Sequence, residues 1–253
     1  MAFTEREAFL LRFHARAPGI TSRVLARSGS YERIAERVAS SATRVLDLGC
    51  GDGALVRALR SRGCDAFGID LSADELALAP RGICVRGRAQ RMPFASAAFD
   101  SVVSHFAFML LDDVEDVVAE LARVLVPGGR FVAVLGGGPT AQRPGEPEDA
   151  FHRALEIARP YLARAVRLGD PRAKSESGWN ALFDRWREIS FERDELVLDG
   201  SIEDVWQFLA ASYEFDAIRD VDREQIRLRL AEHIGEGGRA MCRAVIWIAT
   251  AIR

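Results

Sequence analysis

The chain has 253 residues, of which 49% are hydrophobic and 28% charged, and its formal net charge at pH 7 is −3. This length and composition support one α/β domain with a sizeable core and exclude an intrinsically disordered chain. The slight acidic balance argues against a broad nucleic-acid-binding face, which requires clustered basic residues. Arginine supplies all but one of the 34 basic residues, and the arginines are scattered along the chain.

The cysteine spacing and the apolar runs limit the expected cellular setting. The cysteines are Cys50, Cys64, Cys84 and Cys242, and no two are spaced as C-x-x-C, so neither a metal knuckle nor a redox dithiol is indicated. No signal-peptide pattern is present, which favours reduced thiols and a cytoplasmic location. The apolar run 244–252 is too short to cross a bilayer and predicts a buried strand, so no membrane partner is expected.

Two amphipathic helices are predicted before the first strand. The first has apolar residues at helical spacing and ends at Pro18. The second begins with Ser30 as its N-cap, because a serine side chain accepts hydrogen bonds from the first free amides of a helix. We expect these helices, within residues 1–42, to form a cap over the domain that follows.

Strand-like apolar runs alternate with helical segments between residues 43 and 139. Such alternation with short connections predicts parallel strands joined by right-handed crossovers, that is, an open doubly wound α/β sheet. Residues 140–190 break the alternation and predict a helical insertion that acts as a lid. Residues 191–253 return to strand and helix patterns, which predicts that they complete the sheet of a single domain.

Three glycines follow the first predicted strand in the stretch VLDLGCGDG, residues 45–53. Glycine is placed where the backbone needs positive φ or where a ligand must come close. Two ligand classes use such a turn, a dinucleotide with its pyrophosphate and S-adenosylmethionine with its sulfonium and amino group. Asp47 favours the second class, because a carboxylate repels a pyrophosphate and attracts a cation. Asp70 ends the second predicted strand and suits ribose hydroxyls in either class.

Four motifs in their order and separations resemble the class I S-adenosylmethionine-dependent methyltransferases, over residues 42–136. They are VLDLGCGDG, FGIDLS, RMPFASAAFDSVVSHFAF and ELARVLVPGGRFVAV. The resemblance implies a Rossmann-like, mostly parallel seven-stranded sheet. It also implies S-adenosyl-L-methionine as the cofactor and S-adenosyl-L-homocysteine as the product.

The resemblance assigns roles to residues around the glycines. Asp47 is expected to hold the amino group, Gly49 and Gly51 to carry the methionine part on their backbone, Asp70 to bind the ribose and Leu71 to pack on the adenine. Ser104 and His105, at the end of the fourth strand, are expected beside the methionine part and the substrate. The cofactor-binding set implied in this way is Asp47, Gly49, Cys50, Gly51, Asp70, Leu71, Arg88, Ala89, Gln90, Ser104 and His105.

One position departs from the family pattern. Where many members place an acidic residue that binds the adenine amino group, this chain has Arg88 in the stretch GRAQRMPF. A guanidinium cannot accept that hydrogen bond. Backbone groups at Ala89 and the side-chain amide of Gln90 are the alternatives for this contact.

Methyl transfer requires in-line positioning and, for some acceptors, a base that removes a proton. His105 is the candidate base, because histidine titrates near neutrality; the alternative is a hydrogen-bonded wall residue. Candidate substrate contacts are His14, Tyr31 and Trp179, each with packing as its alternative role.

The predicted function is therefore methyl transfer to oxygen, nitrogen or carbon of a small molecule, in the setting of secondary metabolism. The stretch SHFA stands where nucleic-acid and protein amino-group methyltransferases often carry an N/D-P-P-Y tetrapeptide, so a nucleic-acid partner is not expected. No metal-ligand spacing occurs. The alternatives are a nicotinamide-dependent oxidoreductase and a non-catalytic S-adenosylmethionine-binding protein, and both a monomer and a homodimer stay open.

Overall fold

The computed structural model describes residues 3–140, 149–162, 168–216, 218–234 and 239–253. The strands in this part of the chain are β1 (Arg44–Leu48), β2 (Asp65–Asp70), β3 (Cys84–Arg86), β4 (Phe99–His105), β5 (Leu125–Pro139), β6 (Glu188–Ser201) and β7 (Arg239–Ile252). The α-helices are α1 (Glu5–Arg16), α2 (Ile20–Ala26), α3 (Ser30–Ala39), α4 (Ala54–Arg60), α5 (Ala73–Leu76), α6 (Val114–Val124), α7 (Ala150–Ala158), α8 (Glu176–Leu182), α9 (Ile202–Ala210), α10 (Tyr213–Asp216) and α11 (Asp220–Ile234). Short 3-10 helices cover Phe108–Leu110 and Pro171–Lys174.

The described strands form one seven-stranded sheet in the order β3-β2-β1-β4-β5-β7-β6. Strands β1 to β5 pair in parallel, and β7 runs antiparallel to both of its neighbours. The predicted mostly parallel, doubly wound sheet is therefore confirmed. Its strand order reverses between β1 and β4, and in open sheets of this kind a ligand crevice lies beyond the carboxyl ends of the strands at that point.

The central strand β1 is buried on both faces, as expected of a parallel strand with helices on either side. One face of the sheet packs against α3 and α4, with Ile34 and Leu55 in the core. The other face packs against α6, with Leu121 and Phe131 in the core. Within this apolar strand Asp47 is 1% exposed, so its polarity needs an explanation other than packing.

The N-terminal segment contains three helices rather than the predicted two. The additional helix, α2, has seven residues and follows its N-cap Gly19, whose φ of +70° sets the turn out of α1. The N-cap of α3 is Gly29, with φ +66°, and not Ser30. Ser30 is instead the first residue of the helix, and its hydroxyl contacts the Nε2 atom of His105.

Within the predicted insertion 140–190, residues 141–148 and 163–167 lie outside the described part of the chain. Helix α7 packs against β7 and α11, and α8 packs against β6 and α6. Strand β6 begins at Glu188, slightly before the predicted end of the insertion. The lid role of this segment stays a prediction. Among the described helices, none combines the length and the apolar character needed to cross a bilayer.

Candidate functional site

A cavity of about 1110 Å³ lies at the carboxyl ends of β1, β2 and β4, where the strand order reverses. Its floor is the glycine turn, residues 49–53, which connects β1 to α4. The amides of Gly49 and Cys50 donate hydrogen bonds to the carbonyl of Ile69, at 2.8 and 3.1 Å, so the turn is fixed to β2. A Cβ on Gly49, whose φ is +78°, would lie 2.2 Å from the Cβ of Ala107, so only glycine fits there.

Asp70 lies beside this turn at the end of β2. Its carboxylate accepts hydrogen bonds from the amides of Gly51 and Ser72, each at 2.8 Å. Burial raises the pKa of Asp70 although both amides act to lower it. The two bonds hold the carboxylate in one orientation at the cavity wall, where it can accept hydrogen bonds from a vicinal diol.

Asp47 lines the cavity from the strand itself. Its Oδ1 atom is buried and has no hydrogen-bond partner among the described residues. Burial raises the pKa of Asp47 well above its usual range. A buried carboxylate oxygen without a partner is costly, and a cationic group of a ligand would relieve that cost.

Arg88 and Gln90 both line the cavity next to β3, but their side chains have different partners. The guanidinium of Arg88 bonds the carboxylate of Glu7 on α1 at 2.8 Å and lies 5.3 Å from the centre of the Phe3 ring. The amide nitrogen of Gln90 donates to the carbonyl of Asp112 at 2.8 Å. This bond leaves the carbonyl oxygen of Gln90 as an acceptor for the cavity.

His105 lines the cavity at the end of β4. Its Nε2 atom lies 2.6 Å from the hydroxyl of Ser30, and its ring centre lies 4.5 Å from that of Tyr31. Burial lowers the pKa of His105 to about 3, so the ring is neutral at physiological pH. Its Nδ1 atom is buried and has no partner among the described residues. The next residue, Phe106, has φ +58°, an uncommon conformation for a non-glycine residue.

Ser104 does not line the cavity, contrary to its predicted contact with the cofactor. Its hydroxyl donates to the carbonyl of Leu48 at 2.8 Å and accepts from the amide of Phe108 at 2.9 Å. Because both partners are backbone groups, Ser104 has a structural role: it connects β1 to the segment that follows β4, beneath the site.

Trp179 is likewise absent from the cavity wall, so the predicted substrate contact is wrong and the packing alternative holds. The side chain is fully buried and stacks on Phe131 with ring centres 5.5 Å apart. Its indole nitrogen donates to the carbonyl of Ala173 at 3.0 Å. The aromatic stretch after residue 178 therefore fills the core between α8 and the sheet.

His14, the third predicted substrate contact, lies in the cavity wall on α1. Its Nδ1 atom lies 2.8 Å from Oε1 of Glu75, and its Nε2 atom lies 3.0 Å from the hydroxyl of Tyr213. Glu75, which is 3% exposed, also accepts from the amide of Gly19. Sequence reasoning missed Glu75 and Tyr213, because nothing in a linear pattern indicates that residues on α5 and α10 meet on α1.

The predicted site residues that the structure brings to this one cavity are Asp47, Gly49, Cys50, Gly51, Asp70, Leu71, Arg88, Ala89, Gln90, His105, His14 and Tyr31. We call the part formed by the glycine turn, Asp47, Asp70 and residues 88–90 the polar half. We call the apolar side chains of the remaining lining the apolar half; they include Leu10, Leu11, Phe106, Met109, Phe151, Leu155, Phe208, Leu209 and Ile246. The described residues contain no cluster of three or more side chains placed to hold a metal ion.

Comparison with known proteins places this geometry in a family. Residues 46–133 match the model of a methyltransferase domain. The demethylmenaquinone methyltransferase of Mycobacterium marinum is 32% identical over 200 residues, which are 70% of this chain and 85% of that protein. The chain belongs to the S-adenosylmethionine-dependent methyltransferases. The predicted family, enzyme class and cofactor are confirmed.

Two further likenesses show how far the family relation extends along this methyltransferase. The malonyl-[acyl-carrier protein] O-methyltransferase of Enterobacter lignolyticus is 44% identical over 90 residues, which are 34% of this chain and 36% of that protein. The chain thus spans about a third of that curated relative. A solved methyltransferase structure from Anaeromyxobacter dehalogenans aligns with a TM-score of 0.66 over 87% of this chain and 94% of that chain, at 19% identity. That last likeness supports the fold alone.

Three features of the polar half match chemical groups of S-adenosylmethionine. The unpartnered oxygen of Asp47 suits the ammonium group, and the amide-held carboxylate of Asp70 suits the ribose hydroxyls. Gly49, Cys50 and Gly51 of the glycine turn line the cavity, where their backbone can lie beside a ligand. Arg88 is engaged with α1, whereas the backbone of Ala89 and the carbonyl of Gln90, both in the cavity lining, are acceptors suited to the adenine amino group.

Proposed function

We propose that this methyltransferase transfers the methyl group of S-adenosylmethionine to oxygen, nitrogen or carbon of a small and largely apolar acceptor. The observation that carries the proposal is that the polar half and the apolar half form one continuous cavity of about 1110 Å³. That volume is sufficient for the cofactor and a second molecule, since single ligand sites commonly span about 300–1,000 Å³.

Bound S-adenosylmethionine supplies an electrophilic methyl group and a neutral sulfur leaving group. The role of the protein is to position the cofactor and the acceptor and to exclude water from the reacting atoms. Asp47 would hold the ammonium group and Asp70 the ribose, and the apolar half would receive the acceptor. Helix α1 and the residues of α2 at the cavity wall would keep water from the reacting atoms.

The protonation state of His105 decides whether it can remove a proton from the acceptor or only form a hydrogen bond to it. A neutral ring with a pKa of about 3 is a weak proton acceptor, so His105 suits a hydrogen bond to the acceptor better than general-base catalysis. Its unpartnered Nδ1 atom supplies that bond. The role of His105 thus moves from the predicted base to a positioning group.

A His105→Gln variant separates the two roles. Glutamine keeps a hydrogen-bonding group but cannot take up a proton near neutrality. If His105 positions the acceptor, the variant keeps at least about a third of kcat and raises KM, with an unchanged pH profile between pH 6 and 9. A loss of kcat by about 100-fold or more, with a changed pH profile, would restore the general-base role.

The apolar walls favour acceptors with rings or chains over small charged molecules. One relative is named for demethylmenaquinone and another for a malonyl-[acyl-carrier protein]. The apolar half suits an acceptor with the ring-and-chain character of the first more than a bare malonyl group. A role in secondary metabolism, a cytoplasmic location and the absence of a nucleic-acid partner stay predictions.

Parallel calorimetric titrations test the proposal against its two alternatives. The protein is titrated with S-adenosylmethionine, S-adenosylhomocysteine and NADH, and then incubated with S-adenosylmethionine and a panel of apolar alcohols, phenols and amines. Micromolar binding of the first two ligands, with acceptors that gain one methyl group, is the expected result. Binding without methylated product from any acceptor would favour the non-catalytic alternative, and binding of NADH alone would favour the oxidoreductase.

A further inference from the structure

Two cysteine side chains converge beneath the glycine turn. A Cβ placed on Gly68 would lie 2.6 Å from the sulfur of Cys50 and 2.9 Å from the sulfur of Cys84. Both sulfur atoms therefore occupy the space that a side chain at position 68 would fill. The glycine between them is what allows the two thiols to meet.

The topology explains why the linear spacing of the cysteines did not indicate a dithiol. Cys50 follows β1, and its amide bonds the carbonyl of Ile69 on β2. Cys84 begins β3, where it pairs with Gly68 of the same strand β2. The two cysteines thus approach β2 from opposite neighbours, so the structure brings together two thiols that their linear spacing did not indicate.

The two thiols differ in access and acidity. Cys50 is 6% exposed and lines the cavity, whereas Cys84 is half-buried on the edge strand. The neighbouring thiol of Cys50 and the guanidinium of Arg57 lower the pKa of Cys84. The contact with Cys84 and burial raise the pKa of Cys50. Cys84 is therefore the thiol that forms a nucleophilic thiolate first.

We propose that Cys50 and Cys84 form a modification site, at which a small-molecule disulfide oxidises the pair to a reversible cross-link. The thiolate of Cys84 attacks one sulfur of the small disulfide, forms a mixed disulfide and releases one thiolate. The sulfur of Cys50, after losing its proton, attacks the sulfur of Cys84 and displaces the second thiolate. The protein loses two electrons and two protons, and the small disulfide becomes two thiols.

The cross-link bears on cofactor binding, and this consequence rests on the proposed function. Cys50 stands between Gly49 and Gly51, the residues whose backbone faces the ligand. A bond from Cys50 to β3 would hold the glycine turn toward the edge strand and change the path of that backbone. Cofactor affinity should fall in the oxidised protein, and bound cofactor should slow oxidation by covering Cys50.

The test uses the whole protein incubated with oxidised glutathione. Intact mass and peptide mapping follow the cross-link, and titration with S-adenosylhomocysteine follows affinity. We expect loss of two hydrogen atoms, a peptide joining Cys50 to Cys84, and affinity lower by about tenfold or more that dithiothreitol restores. A cross-link between other cysteines, no cross-link, or unchanged affinity in the cross-linked protein would each overturn the proposal.

Variants at the half-buried cysteine provide the controls. Cys84→Ser and Cys84→Ala should bind S-adenosylhomocysteine as the reduced wild type does and should not respond to oxidised glutathione. Cys64→Ser removes a buried cysteine outside the cavity wall and should respond as the wild type does. If the reduced wild type binds no S-adenosylhomocysteine, the proposed function fails, while the mass measurement still decides whether the dithiol site exists.

Discussion

The polar half of the cavity is held in shape by hydrogen bonds from the backbone amides of the glycine turn, whereas helix α1, which covers it, is attached by side-chain contacts. Backbone amides of the glycine turn bond Ile69 and Asp70. By contrast, α1 is connected to the wall through Arg6 with Asp112, Glu7 with Arg88 and His14 with Glu75.

This difference separates a rigid part of the site from one that can open. Backbone bonds within a sheet persist unless strands separate, while a partly exposed ion pair such as Arg6 with Asp112 contributes about 0–1 kcal/mol. The cofactor surface should therefore be preformed, and the helical cover should govern exchange of ligands. Four experiments, from the largest expected effect to the smallest, would break or sharpen this comparison.

Asp70→Ala should have the largest effect, because it removes the acceptor of the ribose hydroxyls within the rigid part. Two hydrogen bonds to a carboxylate, each worth about 1.5–3 kcal/mol, correspond to a loss of cofactor affinity of about 100-fold or more. Calorimetric titration with S-adenosylhomocysteine measures it. Asp65→Ala, an exposed aspartate at the start of the same strand, is the control and should bind normally; a loss smaller than fivefold at Asp70 would remove its assigned role.

Asp47→Asn should weaken cofactor binding by about tenfold and stabilise the free protein at neutral pH. The pKa of Asp47 is raised in the fold, so the folded state keeps a proton that the unfolded state loses above its ordinary pKa. Stability therefore falls as pH rises from the ordinary pKa through the raised one. Melting curves of wild type and variant across pH 4–8 should diverge with rising pH, and parallel curves would contradict a raised pKa.

His14→Ala tests the side-chain attachment of the cover. The change removes contacts to Glu75 and Tyr213 while leaving the polar half intact. The dissociation rate of S-adenosylhomocysteine should rise by about three- to tenfold with little change in its association rate. Stopped-flow fluorescence measures both rates. His233→Ala, on α11, is the matched control, and equal effects in the two variants would argue against a specific role for α1.

Arg88→Gln should have the smallest effect, because Arg88 serves the cover rather than the adenine. Loss of its partly buried pair with Glu7 should change cofactor affinity by less than about threefold. Gln90→Leu, which removes the proposed acceptor, should lower affinity by about five- to tenfold. If titration shows the opposite order, Arg88 contributes more to cofactor binding than Gln90 does, and the proposed role of Gln90 is wrong.

The sheet and the polar half could be predicted because their signals are local. The alternation of strands and helices, the glycines and the acids at strand ends each lie in short stretches of sequence. Gly49 shows why such signals work: its positive φ and the neighbouring Ala107 leave no alternative residue. Helix α2 lacked such a signal, since it is short and follows a glycine without a capping side chain.

Side-chain partners could not be predicted, because they depend on contacts between distant segments. Ser30 was assigned to its own helix and instead contacts His105. Trp179 was assigned to the substrate and instead stacks in the core. The meeting of Cys50 with Cys84 required knowing that β2 lies between β1 and β3. In each of these three cases the sequence shows the residue but not the residue that it contacts in the fold.

The hydroxyl of Ser104 links the last residue of β1 to the start of the 3-10 helix after β4. It thus joins the two strands on either side of the reversal in strand order. The spacing of these two strands at the crevice is consequently set from below. The exposed and cavity-facing positions of helix α1 can therefore accumulate substitutions that change the accepted molecule while the spacing of the two strands stays constant.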